Sequence, residues 1–244
     1  MSDNLVIIPT YNEIENISKI IDAVFALEKA FHILIVDDGS PDGTAKVVKE
    51  KMKSNPDSLF IMEREGKLGL GTAYIAGFRW GLDKGYDYIT EMDADFSHNP
   101  KDLPRLYEGC TQKGYDVTVG SRYTKGGGVK NWPFDRLFLS FGASLYVRMI
   151  TFMPVKDPTA GFVCYSRKVL EKLDLDKIRF IGYAFQIEMK FAARQLGFKI
   201  GEVPITFIDR TEGQSKMHGG IISEAIFGVL KMRLRSFSNS YAKD

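Results

Sequence analysis

The chain has 244 residues, 44% hydrophobic and 26% charged, enough for one large α/β domain with a real core and too few for two. Its 33 basic and 31 acidic residues leave a net charge of +2, without the basic excess by which a nucleic-acid binder neutralises phosphates. Cys110 and Cys164 fall outside any CxxC spacing and His32, His98 and His218 are scattered, which argues against a disulfide framework, a zinc site or a histidine metal cluster.

Met1 leads almost directly into an apolar run, with no basic segment or small-residue cleavage site, so no secretory signal is expected. Leu5–Ile8 predicts a first strand. Asn12–Leu27, with Ile14, Ile17, Ile21, Val24 and Phe25 on one face, predicts a helix. His32–Val36 predicts a second strand, and Ser40-Pro41 an N-cap and first-turn proline opening a helix to about Met52. Leu59–Met62 follows as a strand. Gly69–Lys84 reads as a helix, its Ala73, Gly77 and Gly81 small enough for close packing on a sheet. Tyr88–Met92 and Val117–Gly120 complete an alternation that implies βαβ units and a mostly parallel sheet with helices on both faces.

The second half is less regular. Leu137–Met153 predicts a helix, Phe162–Ser166 a strand, Ala184–Leu196 a helix, Glu202–Ile208 a strand and Ile221–Arg235 an amphipathic helix. This pattern predicts a mixed, partly antiparallel finish. The apolar stretch Leu137 to Pro154 is broken by Arg148 and falls short of the ~20 residues that span a bilayer. No repeat or long linker divides residues 1–244, which read as a single domain.

In an open parallel sheet, ligands bind outside the carboxyl ends of the strands. Polar groups stand there three times: Pro9-Thr10-Tyr11-Asn12-Glu13 after strand one, Asp37-Asp38-Gly39-Ser40 after strand two, and Asp93-Ala94-Asp95 after strand four. Acidic pairs in such places also cap the following helix, and for Asp37-Asp38 alone both readings stand. Three on one rim favour a shared ligand. Asp93 and Asp95 are placed to converge on a hard divalent cation, Mg²⁺ or Mn²⁺, with coordination positions left for phosphate oxygens. Tyr11 offers a stacking face, and Glu13 and Asp38 offer acceptors, for a nucleoside. Gly66-Lys67-Leu68-Gly69-Leu70-Gly71 matches neither a Walker loop nor GxGxxG. It reads equally as a loop over a nucleotide or as tight helix packing.

Together these motifs resemble family 2 glycosyltransferases, specifically the dolichol-phosphate (polyprenol-phosphate) mannosyltransferases. The matching segments are IIPTYNE (7–13), IVDDGSPDGT (35–44), GKLGLGTAY (66–74), MDADFSHNP (92–100), GSRY (120–123), NWPFDRLFLS (131–140), DPTAGF (157–162), GEVPITFIDR (201–210) and GQSK (213–216). They run in one order over nearly the whole chain. The resemblance implies a GT-A-like fold, with a nucleotide-binding half (1–120) and an acceptor- and lipid-facing half (121–244). It implies that Pro9, Tyr11, Glu13, Val36 and Asp38 hold guanosine, and that Asp93, Ala94 and Asp95 sit at the diphosphate and metal. Arg122, Arg210 and Lys216 would bind the donor's phosphates or sugar, and Asp93, Asp95 and Arg122 would be catalytic. Arg136 and Ser140, which spacing alone puts on one helix face, would hold the acceptor phosphate. Ser97 stands at a third metal position, where a hydroxyl is a weaker ligand than the Gln of some relatives.

The implied reaction moves mannose from GDP-mannose to a polyprenyl monophosphate with inversion. The rivals are a UDP-glucose-dependent polyprenyl-phosphate glucosyltransferase and a non-catalytic nucleotide-sugar binding module. The lipid acceptor implies a peripheral position on the cytoplasmic face of a membrane, held by the chain itself or by a small membrane-anchoring partner. Ile222, Ala225, Ile226, Val229 and Leu230, followed by Lys231, Arg233 and Arg235, fit either an interfacial helix or one docked on the core. Leu137–Met153 is the other candidate for contact with lipid.

Overall fold

The computed structural model describes residues 3–182, 184–209, 219–235 and 240–243, with the backbone alone for 219–226. The elements run β1 (Asn4–Thr10), α1 (Ile17–Phe25), β2 (His32–Asp37), α2 (Thr44–Met52), β3 (Leu59–Glu63), α3 (Leu70–Asp83), β4 (Tyr88–Glu91), α4 (Leu103–Thr111), β5 (Val117–Ser121) and β6 (Gly128–Lys130). They continue with α5 (Phe134–Thr151), β7 (Val163–Ser166), α6 (Arg167–Lys172), α7 (Ala184–Gln195), β8 (Ile200–Pro204), β9 (Thr206–Ile208) and α8 (Gly219–Arg235).

Seven strands form one sheet in the order β3-β2-β1-β4-β7-β5-β8. β7 alone runs antiparallel, pairing Val163 with Glu91 on one side and with Val119 on the other. β1 shows why the sheet is buried on both faces. Leu5 and Ile7 join the core cluster that holds Tyr74 and Phe78 of α3 and Phe185 of α7. Val6 and Ile8 join the opposite cluster, with Ile17 and Ile21 of α1 and Leu103 of α4. An unbroken apolar run is what such a strand requires. On the first of these faces α3 lies close, because its glycines leave room. A Cβ on Gly77 would come within 2.7 Å of Ile7, and one on Gly81 within 2.6 Å of Ile89.

Three expectations need correction. The first helix starts at Ile17 rather than Asn12, because residues 12–16 form a turn in which the Glu13 carbonyl accepts from the amides of Asn16 and Ile17. The second opens at Thr44, where Asp42 accepts from the Thr44 amide at 3.0 Å and Gly43 adopts φ 94°. Ser40 bonds Asp37 instead. The single strand over Glu202–Ile208 is two, divided at Ile205: β8 stays in the main sheet, and β9 pairs with β6 in a small parallel sheet. Of the two readings of the last helix, α8 meets the core through Val229 and Met232, while Phe227, Leu230 and Leu234 point outward; the side chains of Ile222, Ala225 and Ile226 lie outside the described residues.

Candidate active site

β1, β2 and β4 end along one rim, with Pro9 level with Val36 and Thr10 with Asp37. The two adjacent aspartates divide their work there. The buried Asp37 carboxylate accepts from the Thr10 hydroxyl at 2.8 Å, the Ser40 amide at 2.9 Å and the Ser40 hydroxyl at 2.6 Å, closing the turn. Asp38 instead faces Arg64, whose Nε lies 2.6 Å from Oδ1. The same guanidinium donates to Thr72 at 2.8 Å and to the Gly69 carbonyl at 3.4 Å. Arg64 therefore ties a candidate nucleoside acceptor to the C-terminal end of the glycine-rich loop. That loop carries Lys67 to 5.2 Å above the Tyr11 ring, a cation–π contact. Glu13 donates its amide to Thr44 and accepts from the Asn16 side chain at 3.1 Å.

Asp93, Ala94 and Asp95 follow β4 in a tight turn. The Ser97 amide donates to Asp95 Oδ1 at 3.0 Å, and Phe96 is left-handed, with φ 59°. Ala94 and Ser97 are buried. His98, also buried, accepts the Asp93 amide hydrogen on Nδ1 at 3.2 Å, which puts its own proton on Nε2. Its ring stacks on Phe162 at 4.8 Å. Beneath the turn, the Tyr74 hydroxyl stands 3.5 Å from Asp93 Oδ1, and burial followed by the charge of Asp93 holds that phenol protonated. Asn12, Phe96 and Asn131, three of the four described non-glycine residues with positive φ, lie in segments that build this rim or the arginine cluster beside it. Strain of this kind collects at functional sites.

Beyond His98 the surface turns cationic and aromatic. Arg122 donates to Asp157 through Nε at 2.7 Å and Nη2 at 2.6 Å, and to the Thr159 hydroxyl at 2.8 Å. Burial alone would raise the Asp157 carboxyl, but the hydrogen bonds and charge of Arg122 bring it below the usual carboxylate value. The Arg122 guanidinium lies 5.2–5.7 Å from the rings of Tyr123, Trp132 and Phe207. Arg136 stacks on Trp132 at 4.3 Å and pairs with Asp209 at 2.5 Å. One turn along α5, the Ser140 hydroxyl accepts from Tyr123 at 2.7 Å. Phe207 touches the His98 ring at 5.6 Å, so the acidic rim and the two arginines are joined by packed rings.

The structure thus gathers Pro9, Tyr11, Glu13, Val36, Asp38, Asp93, Ala94 and Asp95 on one rim, and sets Arg122, Arg136 and Ser140 in a second cluster beside it. Arg210 and Lys216 lie outside the described residues. Arg64, His98, Asp157 and Thr159 carry no role in the sequence reading. The last two stand in DPTAGF, whereas nothing local marks Arg64.

As to a metal, no group of three or more His, Cys, Asp or Glu side chains forms a site among the described residues. Two carboxylates from one turn do suit a hard divalent cation that takes its remaining oxygens from a diphosphate and water. A residence for a lone structural ion would require more protein ligands.

A mostly parallel sheet with an acidic rim at its carboxyl ends, and one antiparallel strand beyond it, has the GT-A-like architecture. The family model for glycosyl transferase family 2 matches residues 5–174. The polyprenol monophosphomannose synthase of Mycolicibacterium smegmatis is 48% identical over 95% of this chain and 87% of its own length. Among solved structures, glucosyl-3-phosphoglycerate synthase of Mycobacterium tuberculosis, in complex with Mn²⁺, UDP and glucosyl-3-phosphoglycerate, superposes with TM-score 0.67. It is 17% identical, with 94% of this chain and 79% of that one covered. A mannosyltransferase of Pyrobaculum calidifontis, in complex with GDP-Man and Mn²⁺, gives TM-score 0.62 at 15% identity over 99% of this chain and 66% of that one. The chain belongs to glycosyltransferase family 2.

Proposed function

We propose that the protein transfers mannose from GDP-mannose to a polyprenyl monophosphate, inverting the anomeric centre. One observation carries this reading. The acidic rim at the ends of β1, β2 and β4 adjoins a pair of stacked arginines, and the second of these stands on a helix whose outer face is apolar. A sugar nucleotide suits the rim, an anionic acceptor suits the arginines, and a lipid tail suits the helix.

Asp93 and Asp95 would hold Mg²⁺ or Mn²⁺, with Ser97 as a weak third position, and a bound ion supplies charge neutralisation for the departing diphosphate. The rest falls to the chain. Tyr11 offers a ring for the base, Asp38, held by Arg64, an acceptor, and Pro9, Glu13 and Val36 the walls of the nucleoside pocket. Arg122 stands towards the donor's phosphates with its orientation fixed by Asp157 and Thr159. Arg136 and Ser140 are placed for the acceptor phosphate. A phosphate monoester is already anionic at neutral pH, so the acceptor oxygen needs no general base. The arginines instead offset the repulsion between two anionic substrates.

The lipid acceptor also calls for a membrane surface. No helix among the described residues is long and apolar enough to cross a bilayer. On α5 and its C-terminal turn, however, Phe134 (81% exposed), Phe138 (72%) and Phe152 (76%) point outward, and Phe227 of α8 (73%) does the same. Exposed aromatics in such number mark an interaction surface rather than ordinary scatter. We read it as the face that meets the leaflet carrying the polyprenyl phosphate.

The test is a transfer assay with a short polyprenyl phosphate and a divalent cation, comparing labelled GDP-mannose with UDP-glucose. GDP-mannose should be the donor, chelation should stop the reaction, and Asp95→Ala should slow it by ~100-fold or more. Preference for UDP-glucose, or full metal-dependent turnover by Asp95→Ala, would overturn the assignment.

A further inference from the structure

Helix α7 is buried from Ala184 to Ala193, and Lys190 lies in this stretch with no exposure to solvent. An ammonium without access to water is retained only where its hydrogen bonds are well used. Lys190 Nζ donates to the Ala160 carbonyl at 2.6 Å, the Gln186 carbonyl at 2.9 Å and the Gln186 side-chain oxygen at 3.4 Å. The second and third bonds are local to its own helix turn. The first reaches across to another segment, residues 157–162, which enters β7.

That segment holds Arg122. Its first residues are clamped from one side, where Glu202 accepts from the amides of Lys156 and Asp157 at 3.0 and 3.1 Å. Asp157 and Thr159 then bind the Arg122 guanidinium, and Asp157 also accepts the Arg122 amide at 2.9 Å. Further along, Gly161 runs over Gln186 and His98, where an added Cβ would meet atoms of both at 3.7 and 3.8 Å. The bond from Lys190 to Ala160 fixes the segment between these two stretches from beneath. Glu91, fully buried on β4 two residues before Asp93, is with Asp157 and Glu202 one of the acids whose charge reaches Lys190. A hydrophobic residue would fill Lys190's place on an all-buried helix face, but it would leave the Ala160 carbonyl unheld.

We propose that Lys190 is a positioning residue for glycosyl transfer: through the Ala160 carbonyl it sets the 157–162 segment, and so fixes Arg122 towards the donor. The inference rests on the reading above, in which Arg122 serves the donor's phosphates.

The experiment compares wild type, Lys190→Met and the double variant Glu91→Gln/Lys190→Met. The double variant removes both buried ionisable groups and so guards against loss of folding, because deleting such a pair together is far milder than breaking it. Three quantities are read: the melting temperature, kcat and donor KM for mannose transfer, and amide hydrogen exchange of residues 157–162. The double variant should melt within a few degrees of wild type, yet show faster exchange in 157–162 and kcat/KM for donor reduced ~10-fold or more, as misplacement of a binding group does. In an Arg122→Lys background the same substitutions should reduce kcat/KM less than 2-fold. Wild-type exchange and turnover in the double variant, or an equal loss in both backgrounds, would overturn the proposal. If wild type itself transfers nothing from GDP-mannose, the donor reading fails instead, and unchanged exchange in 157–162 still decides against Lys190.

Discussion

Arg122 and Asp157 form the most deeply set ion pair near the site, with side chains 10% and 0% exposed. Removing one partner of such a pair strands the other in a poorly hydrated place. Asp157→Asn should therefore destabilise the protein by about 3–5 kcal/mol in urea unfolding near pH 7. The sign of the pH dependence follows from the carboxyl lying below its unfolded value. Its stabilisation is fully present above the usual carboxylate range and is lost as pH falls through the folded value. Asp157→Asn should flatten that acid limb, and an unchanged limb would show that other carboxylates set it. The same scale shows where sequence reasoning stops. Asp37 and Asp38 are indistinguishable as letters, and only the fold shows that one closes a turn against Thr10 and Ser40 while the other turns to Arg64. Arg64 itself is invisible, since a surface arginine between two loops looks the same in sequence.

The parallel half of the sheet was legible because apolar runs buried on both faces leave a clear signature. The glycines of α3 were legible too, as small residues at helical spacing. Gly77→Val should put branched carbons where Ile7 already sits 2.7 Å from an added Cβ. Overpacking of this kind lowers stability by roughly 1–3 kcal/mol, and a thermal melt indistinguishable from wild type would mean that α3 does not lie as close as described. The elements that sequence reading missed are short or locally coded. α4 begins behind Asn99, which accepts the Lys101 amide at 3.1 Å and opens a single 3₁₀ turn that leads into the helix. β6 has three residues, and its pairing with β9 spans some eighty residues of sequence. No local periodicity reports a partner at that distance. The turn of residues 12–16 was read as helix because Ile14 fits the 3.6-residue pattern, although it ends up exposed.

At the scale of the molecule, one side carries the exposed aromatic residues of α5 and α8, and the arginine cluster opens beside them at the start of α5. Substituting Phe134 and Phe138 by Ser should weaken co-sedimentation with polyprenyl-phosphate vesicles ~10-fold or more, given about 1.5–3 kcal/mol for each buried aromatic. Because both rings are solvated in the free protein, the melting temperature should barely move. Vesicle binding equal to wild type would place membrane contact elsewhere. The net charge of +2 leaves apolar contact, rather than bulk electrostatic attraction, as the expected driving force.

The reversed strand β7 has a consequence for how the molecule comes to exist. Among the described residues β4 and β5 do not pair with each other, and residues 163–166 are the only seam between the four-strand block and the remainder of the large sheet. While the polypeptide is being synthesised, β4 therefore waits with an open hydrogen-bonding edge until more than seventy further residues have left the ribosome. Such an edge invites pairing with strangers. Contacts this distant in sequence are slow to form, so a nascent chain stalled before β7 is the form most in need of a chaperone.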